Sequence, residues 1–131
     1  MGGCLCGRNA YQITGALSAC SYCHCAICRK LSGSAFGAYG SVVRELFEWQ
    51  PTPEFLSCYS PTEITRRYFC RQCGSYLLTE HDDEPDHLFV SLGTLDDTAD
   101  ISIEYHQFAA SKARWHTLSA ELPAYSKWPP E

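Results

Sequence analysis

Seven of the nine cysteines fall into short groups whose spacing suits a metal ion. The groups are Cys4-x-Cys6, Cys23-x-Cys25-x-x-Cys28 and Cys70-x-x-Cys73. Thiolates bind zinc at about 2.3 Å in a tetrahedron, so the sulfur atoms of one site must lie close together. Short spacings in the chain bring sulfur atoms that close, and the pattern therefore predicts metal binding.

The two outer pairs together supply four thiolates, the ligand set of a closed structural zinc site. In an extended segment residues i and i+2 share a face, so both sulfurs of the first pair can point one way while Leu5 turns towards the core. In the second pair a tight turn aims both sulfurs inward, and Gly74 can take the positive φ that the exit requires. We therefore predict a structural zinc site, the four-cysteine cluster, at Cys4, Cys6, Cys70 and Cys73.

The middle group, the three-cysteine cluster, consists of Cys23, Cys25 and Cys28, and no further pair remains to close it. Three protein ligands leave one coordination position open, which distinguishes a catalytic zinc from a structural one. His24 is the rival fourth ligand, although a side chain between two ligands should point away from both sulfurs. The sequence thus predicts two zinc ions per chain, with these three cysteines as the catalytic residues.

Other uses of clustered cysteines fit the sequence less well. An odd number of cysteines leaves a thiol unpaired in any disulfide framework, and no export signal is readable, so we expect a cytoplasmic protein. Neither usual iron–sulfur spacing is present. A redox dithiol of Cys25 and Cys28 is a remaining alternative. Cys20 and Cys58 are interpreted as core residues.

Length and composition favour one globular domain over residues 1–131. Hydrophobic residues make up 45% and charged residues 19% of the chain, which argues against disorder, and no apolar run is long enough to span a membrane. The formal net charge of −5 has the wrong sign for a protein that binds phosphate backbones. We expect neither a nucleic-acid nor a membrane partner.

The elements that must position the cysteines are mostly strands. Segments rich in aromatic and β-branched residues predict strands at 11–14, 19–22, 35–42, 54–59, 63–69, 87–92 and 101–105. The single predicted helix covers 26–31 and is stopped by Gly33, which places Cys28 near a helix start. The predicted class is mostly β with at most a short helix.

Arg29 and Lys30 follow the three-cysteine cluster directly and are candidate substrate-binding residues. A nearby cation would stabilise an anionic trithiolate centre or an acidic substrate. A solvated surface explains an Arg-Lys pair as well. The remaining histidines are scattered, and none of them is predicted to be a ligand: His81, His87, His106 and His116.

Three stretches carry a family resemblance. They are Gly2-Gly3-Cys4-Leu5-Cys6-Gly7, Cys23-His24-Cys25-x-x-Cys28-Arg29-Lys30 with Ser32-Gly33, and Phe69-Cys70-x-x-Cys73-Gly74-Ser75. Together they resemble the glutathione-dependent formaldehyde-activating enzyme family, whose relatives include centromere protein V. The similarity continues through 91–96 and 122–125.

The resemblance implies a zinc-containing β-tent fold of short antiparallel strands, with the outer pairs at a structural zinc and the middle three cysteines at a second zinc. It also implies a carbon–sulfur lyase that joins glutathione and formaldehyde reversibly as S-hydroxymethylglutathione. The expected partner is therefore a small-molecule thiol such as glutathione, or its aldehyde adduct. Because a fold does not by itself determine function, a non-catalytic zinc-stabilised binding module is the alternative.

Overall fold

The computed structural model describes residues 1–50, 54–97 and 100–130. Short strands dominate, and in the described ranges they are accompanied by one α-helix, α1 (Ala26–Ser32), and three single turns of 3-10 helix. The strands are β1 (Gly2–Gly3), β2 (Ala10–Ile13), β3 (Ser18–Cys23), β4 (Gly37–Val43), β5 (Phe47–Trp49), β6 (Leu56–Thr62), β7 (Thr65–Cys70), β8 (Tyr76–His81), β9 (His87–Ser91) and β10 (Tyr105–Gln107).

The strands form two sheets. The smaller sheet has three antiparallel strands in the order β1-β2-β5, and the larger has seven in the order β10-β3-β4-β9-β8-β7-β6. In the larger sheet neighbouring strands are antiparallel, except that β10 runs parallel to β3 with Gln107 opposite Cys23. This pairing fixes the chain just before the three-cysteine cluster against a segment more than 80 positions away.

The main apolar core draws on both sheets. Tyr11, Leu77 and Val90 are completely buried in it, and the Tyr11 ring stacks on Phe47 with 5.0 Å between ring centroids. A side chain at Gly2 would come within 2.4 Å of the Tyr11 ring, so only glycine lets β1 lie directly on it. Two members of the four-cysteine cluster belong to this core.

A second, smaller core surrounds the three-cysteine cluster. Cys23 and Cys28 are buried there with Tyr39 of β4, and Tyr76 and Phe108 pack against them. The two cysteine clusters therefore belong to different parts of the hydrophobic interior, so each can serve a separate purpose.

The predicted class is confirmed, since the chain is mostly β with one short helix. The helix begins at the predicted residue and ends at Gly33, whose φ of +64° is the left-handed conformation that glycine favours. Six predicted strands overlap β2, β3, β4, β6, β7 and β9. Within the described ranges no helix is long and apolar enough to cross a membrane.

Three strands were missed, and one was misplaced. β1 and β5 have only 2 and 3 residues, too few to show a periodic pattern. β8 buries three consecutive residues, Leu77 to Thr79, so it lacks the alternation of a half-buried strand. The segment predicted at 101–105 contributes only its last residue to β10, because pairing begins where Tyr105 meets Ser21.

Candidate functional site

The structure brings the predicted cysteines together in two clusters. Within each cluster all sulfur atoms lie within 4.8 Å of one another. The first cluster contains Cys4, Cys6, Cys70 and Cys73, and the second contains Cys23, Cys25 and Cys28. The described part of the chain shows no other group of three or more potential metal ligands. These two clusters could hold metal ions, and their thiolate ligands are consistent with zinc.

The four-cysteine cluster joins two distant parts of the chain. Cys4 and Cys6 follow β1, whereas Cys70 ends β7 and Cys73 lies in the turn before β8. Sγ of Cys6 is 3.5 Å from Sγ of Cys4 and 3.7 Å from Sγ of Cys70. A metal ion held by all four sulfurs would therefore connect the edge of the small sheet to the large sheet.

Hydrogen-bond donors point at three of the four sulfurs of this cluster. The backbone N–H groups of Gln72 and Cys73 both donate to Sγ of Cys70 at 3.4 Å, and that of Asn9 donates to Sγ of Cys4 at 3.3 Å. The Ser75 hydroxyl and backbone lower the pKa of Cys73 to about 5, because both hydrogen-bond to its sulfur. Hydrogen bonds of this kind favour the thiolate, which is the form that binds metal.

The local geometry of the first cysteine pair differs from the prediction. The segment is a turn, closed by a 3.1 Å hydrogen bond from Gly7 N–H to Cys4 C=O, and Leu5 is 89% exposed rather than turned to the core. The reason is that a turn aims both sulfurs at one point without requiring an inward residue between them. At the second pair Gly74 has a φ of +81°, as predicted.

The two cysteines outside the clusters behave differently from each other. Cys20 is 4% exposed, which confirms that it is a core residue. Cys58 is exposed, so its interpretation as a core residue is wrong. It lies on β6, the edge strand of the large sheet, where no neighbouring strand covers it on one side.

The three-cysteine cluster is built where a strand gives way to a helix. Cys23 ends β3, Cys25 is the N-cap of α1, and Cys28 lies in the first turn of that helix. Sγ of Cys25 accepts a hydrogen bond from the Cys28 N–H at 3.3 Å. Cys23 and Cys28 are buried while Cys25 is partly exposed. The cluster thus has a floor of two buried cysteines and one cysteine that is partly exposed.

The electrostatics of this cluster show that it suits a cation. Hydrogen bonds from the thiols of Cys23 and Cys28 lower the pKa of Cys25 to about 2. For Cys23, by contrast, interactions with Cys25 and Cys28 raise the pKa well above the usual range for a thiol. One sulfur ionises readily, but further ionisation places like charges side by side. A bound soft divalent metal would allow all three sulfurs to be thiolates.

His24 is buried and points away from the cysteines that flank it, as expected from its position. Its Nε2 lies 2.8 Å from Nδ1 of His106, and its ring stacks on His116 at 5.7 Å between centroids. Burial, together with the neighbouring His106 and His116, lowers the pKa of His24 to about 4. The neutral ring therefore ties the loop before α1 to β10, and His24 does not join the metal-binding group.

Two further residues lie beside the three-cysteine cluster and were missed by the sequence analysis. Tyr39 packs against Cys23 and Cys28, and the Arg67 guanidinium donates a hydrogen bond to the Tyr39 hydroxyl at 3.4 Å. Nothing in the spacing connects β4 and β7 to the cluster. Only sheet pairing brings these side chains to it.

The two predicted substrate-binding residues lie on the last turn of α1. Arg29 is partly buried, and its Nε is buried without a hydrogen-bond partner in the described part of the chain. Lys30 is exposed. The helix therefore carries both cations on the turn that follows Cys28, and their role in substrate binding stays a prediction.

Comparison with known proteins assigns the family. The model of the family described as glutathione-dependent formaldehyde-activating enzyme matches residues 1–111. The chain belongs to this family. The glutathione-dependent formaldehyde-activating enzyme family is enzymatic, and its description implies glutathione and an aldehyde adduct as small-molecule partners. The matched range contains both cysteine clusters.

Solved structures support the fold of this family member. The crystal structure of a Rhodobacter sphaeroides protein, a structural-genomics target, is similar to this chain with a TM-score of 0.63 and 19% sequence identity. The similarity covers 77% of this chain and 89% of that chain, and at this identity it concerns the fold alone. A search of curated protein sequences gives no match.

The histidine pair behind the three-cysteine cluster gives the first prediction. His106→Ala leaves the buried His24 ring without its Nε2 partner, so we expect the free energy of unfolding to fall by roughly 1–3 kcal/mol. Chemical denaturation of the intact chain measures this. His87→Ala is the matched control, at a partly buried position at the start of β9, and should change stability by only about 0.5 kcal/mol. Equal losses in both variants would contradict the structural role of the pair.

Proposed function

We propose that this protein is a zinc-dependent carbon–sulfur lyase that acts on a thiol–aldehyde adduct such as S-hydroxymethylglutathione. The observation that carries the proposal is the three-cysteine cluster, in which three sulfurs converge and no fourth Cys, His, Asp or Glu of the described residues joins them. A metal with three protein ligands keeps a position for a substrate atom. Membership of the family supports the substrate class.

The reaction needs no oxidant or reductant. The carbon–sulfur bond of the hydroxymethyl adduct breaks, the hydroxyl proton leaves, the carbon becomes the carbonyl of formaldehyde, and the sulfur regains a proton as the free thiol. The reverse direction joins the same two molecules. Zinc bound here would supply a soft Lewis acid that stabilises a thiolate at neutral pH.

The protein's own residues define how the adduct approaches. Cys23 and Cys28 form the buried floor, and the helix start places Cys25 on the side that solvent reaches. A substrate therefore enters from the Cys25 side, while Tyr39 and Phe108 shield the floor from water. Excluding water strengthens electrostatic interactions at the reacting sulfur.

The four-cysteine cluster has a different role in this proposal. Its four sulfurs complete a tetrahedral ligand set, so a second zinc ion there has no free position and stabilises the fold. We therefore propose two zinc ions per chain, one structural and one catalytic. Seven of the nine cysteines act as thiolate ligands in this proposal, which fits the reducing cytoplasm.

Arg29 and Lys30 are proposed to bind the carboxylates of the thiol substrate. Glutathione is an anionic tripeptide, whereas the chain has a formal net charge of −5, so local cations are needed to attract it. Lys30 is exposed and Arg29 is partly exposed, so both side chains can supply positive charge at the surface. Both residues lie on the helix that carries Cys28.

A non-catalytic zinc-stabilised binding module is the second candidate. It is favoured by two large exposed side chains, Trp115 at 76% and Trp128 at 66% exposure, because exposed aromatic residues are frequent in binding surfaces. Both candidates predict the same two metal ions. They differ in turnover, which only the lyase shows.

Cys25→Ser tests the catalytic assignment. We expect this variant to lose one of two zinc ions and essentially all release of formaldehyde from S-hydroxymethylglutathione, because it removes a ligand and the solvent-facing sulfur. Its fold should persist, since the four-cysteine cluster is intact. Elemental analysis, a formaldehyde assay and circular dichroism give the three measurements.

The control for this experiment is Cys58→Ser, which removes an exposed cysteine outside both clusters and should keep two zinc ions and full activity. Full turnover by Cys25→Ser with one zinc would exclude a catalytic role for the cluster. Two zinc ions in the wild-type protein without turnover of any thiol–aldehyde pair would instead support the binding module.

Cys70→Ser tests the structural zinc. Structural zinc binding is coupled to folding, and Cys70 is completely buried at the end of β7. We therefore expect this variant to be largely unfolded, with neither zinc retained. Thermal melting compares it with Cys58→Ser, which should melt like the wild type. A Cys70→Ser protein with an unchanged melting temperature would disprove the four-thiolate site.

Arg29→Gln and Lys30→Gln test the substrate-binding assignment. Each should raise KM for the glutathione adduct roughly five-fold, as expected for an exposed charge pair of about 1 kcal/mol, and leave kcat unchanged. The effect should shrink at high salt because ions screen exposed charges. Arg8→Gln removes an exposed arginine beside the four-cysteine cluster and serves as the control. An unchanged KM in both helix variants would exclude the two residues as substrate ligands.

A further inference from the structure

Arg67 is a buried cation that lacks a carboxylate partner. It is 7% exposed in β7, and in the described part of the chain no acidic side chain forms an ion pair with it. The neighbouring Arg66 is different, because it pairs with Glu80 and Asp82. Burying a guanidinium without a compensating negative charge is strongly unfavourable, so an anionic group must face Arg67 in the working protein.

The groups that Arg67 contacts directly are neutral hydroxyls. Nη1 donates to the Tyr39 hydroxyl at 3.4 Å, to Oγ1 of Thr79 at 3.3 Å and closely to the Tyr76 hydroxyl. A tyrosine hydroxyl ordinarily has a pKa of about 10, and a threonine hydroxyl does not ionise at neutral pH, so all three groups are neutral. They satisfy hydrogen bonds of the guanidinium but do not balance its charge.

Tyr39 connects Arg67 to the three-cysteine cluster, which would be anionic with its sulfurs as thiolates around a divalent metal. Tyr39 packs against the buried Cys23 and Cys28, and its hydroxyl accepts the hydrogen bond from the Arg67 guanidinium. A divalent metal with three thiolates carries one net negative charge, which a single guanidinium balances. Tyr39 therefore lies in contact with Arg67 through its hydroxyl and with the cluster through its packing.

The backbone is shaped to hold Tyr39 in this position. Gly37 pairs with Cys23 across β3 and β4, and a side-chain carbon at Gly37 would lie only 2.3 Å from the Tyr39 hydroxyl oxygen. The missing side chain therefore leaves room for that hydroxyl beside the cluster. This steric observation does not depend on the charge of Arg67, and it concerns the same Tyr39 hydroxyl oxygen.

We propose that Arg67 is the counter-charge and positioning residue of the three-cysteine metal centre and acts on Cys28 through Tyr39. The inference rests on the proposed function, because it requires a metal at that cluster. The guanidinium holds the Tyr39 hydroxyl so that it donates to the Cys28 thiolate, and the positive charge offsets the net negative charge of the centre. Both effects help the cluster to keep its metal.

Arg67→Met tests this role, with Arg66→Met as the matched control on the same strand. We expect Arg67→Met to bind zinc at the three-cysteine cluster about 10- to 100-fold more weakly, while the four-cysteine cluster keeps its zinc. Arg66→Met should have the wild-type affinity. Titration of the two-zinc protein with a competing chelator measures the affinity of each site without a substrate.

Tyr39→Phe tests the contribution of the Tyr39 hydroxyl separately from that of the Arg67 charge. This variant keeps the packed ring and should also lower the zinc affinity of the three-cysteine cluster. Combined with Arg67→Met it should lower that affinity little further, because Arg67 acts through Tyr39. In cobalt-substituted protein the sulfur-to-metal charge-transfer band should shift in Tyr39→Phe. A purely structural role of Tyr39 would leave that band in place.

Wild-type affinity in both Arg67→Met and Tyr39→Phe would overturn this inference and leave the proposed function intact. If Arg67→Met does not fold, Tyr39→Phe decides, and an unchanged affinity and an unshifted cobalt band overturn the inference. A wild-type protein that binds zinc only at the four-cysteine cluster would contradict the proposed function itself, before any variant is compared.

Discussion

The fold holds seven cysteine sulfurs close together, and the packing around them has to keep them there. Seven sulfurs are held in two groups, each within 4.8 Å, and thiolates at such distances repel one another unless a cation lies between them. Each hydrophobic core contains one of these groups. The cores thus supply the packing that holds the sulfurs together, and bound cations would supply the attraction that makes the packing stable.

The same ligand type serves two purposes because the surrounding backbone differs. At the four-cysteine cluster two turns face each other, backbone N–H groups point at the sulfurs, and the ligand set is complete. At the three-cysteine cluster a strand end and a helix start provide only three sulfurs, one of them open to solvent. Coordination number, and not residue type, is therefore the physical difference between a site suited to stability and a site suited to chemistry.

The polar groups behind the three-cysteine cluster differ in charge. The His24 and His106 rings are held neutral by burial and hold the loop in place without adding charge. Arg67 keeps its charge and reaches the cluster through Tyr39. An anionic metal centre beside this buried cation would be close to neutral overall, and this would allow it to remain in an apolar pocket that excludes water.

Both cysteine clusters, the helix from Ala26, the mostly β class and the family could be predicted from the amino-acid sequence, because all of these depend on local spacing, local propensity or short motifs. The exposure of Leu5 and Cys58, the place of β8 inside the large sheet, and the contacts of Tyr39 with Cys28 and with Arg67 follow only from the folded chain. Side chains from two strands and the helix meet there only after the large sheet has formed. Sheet pairing is long-range and leaves no local pattern, so the ligands could be predicted from the chain but their surroundings could not.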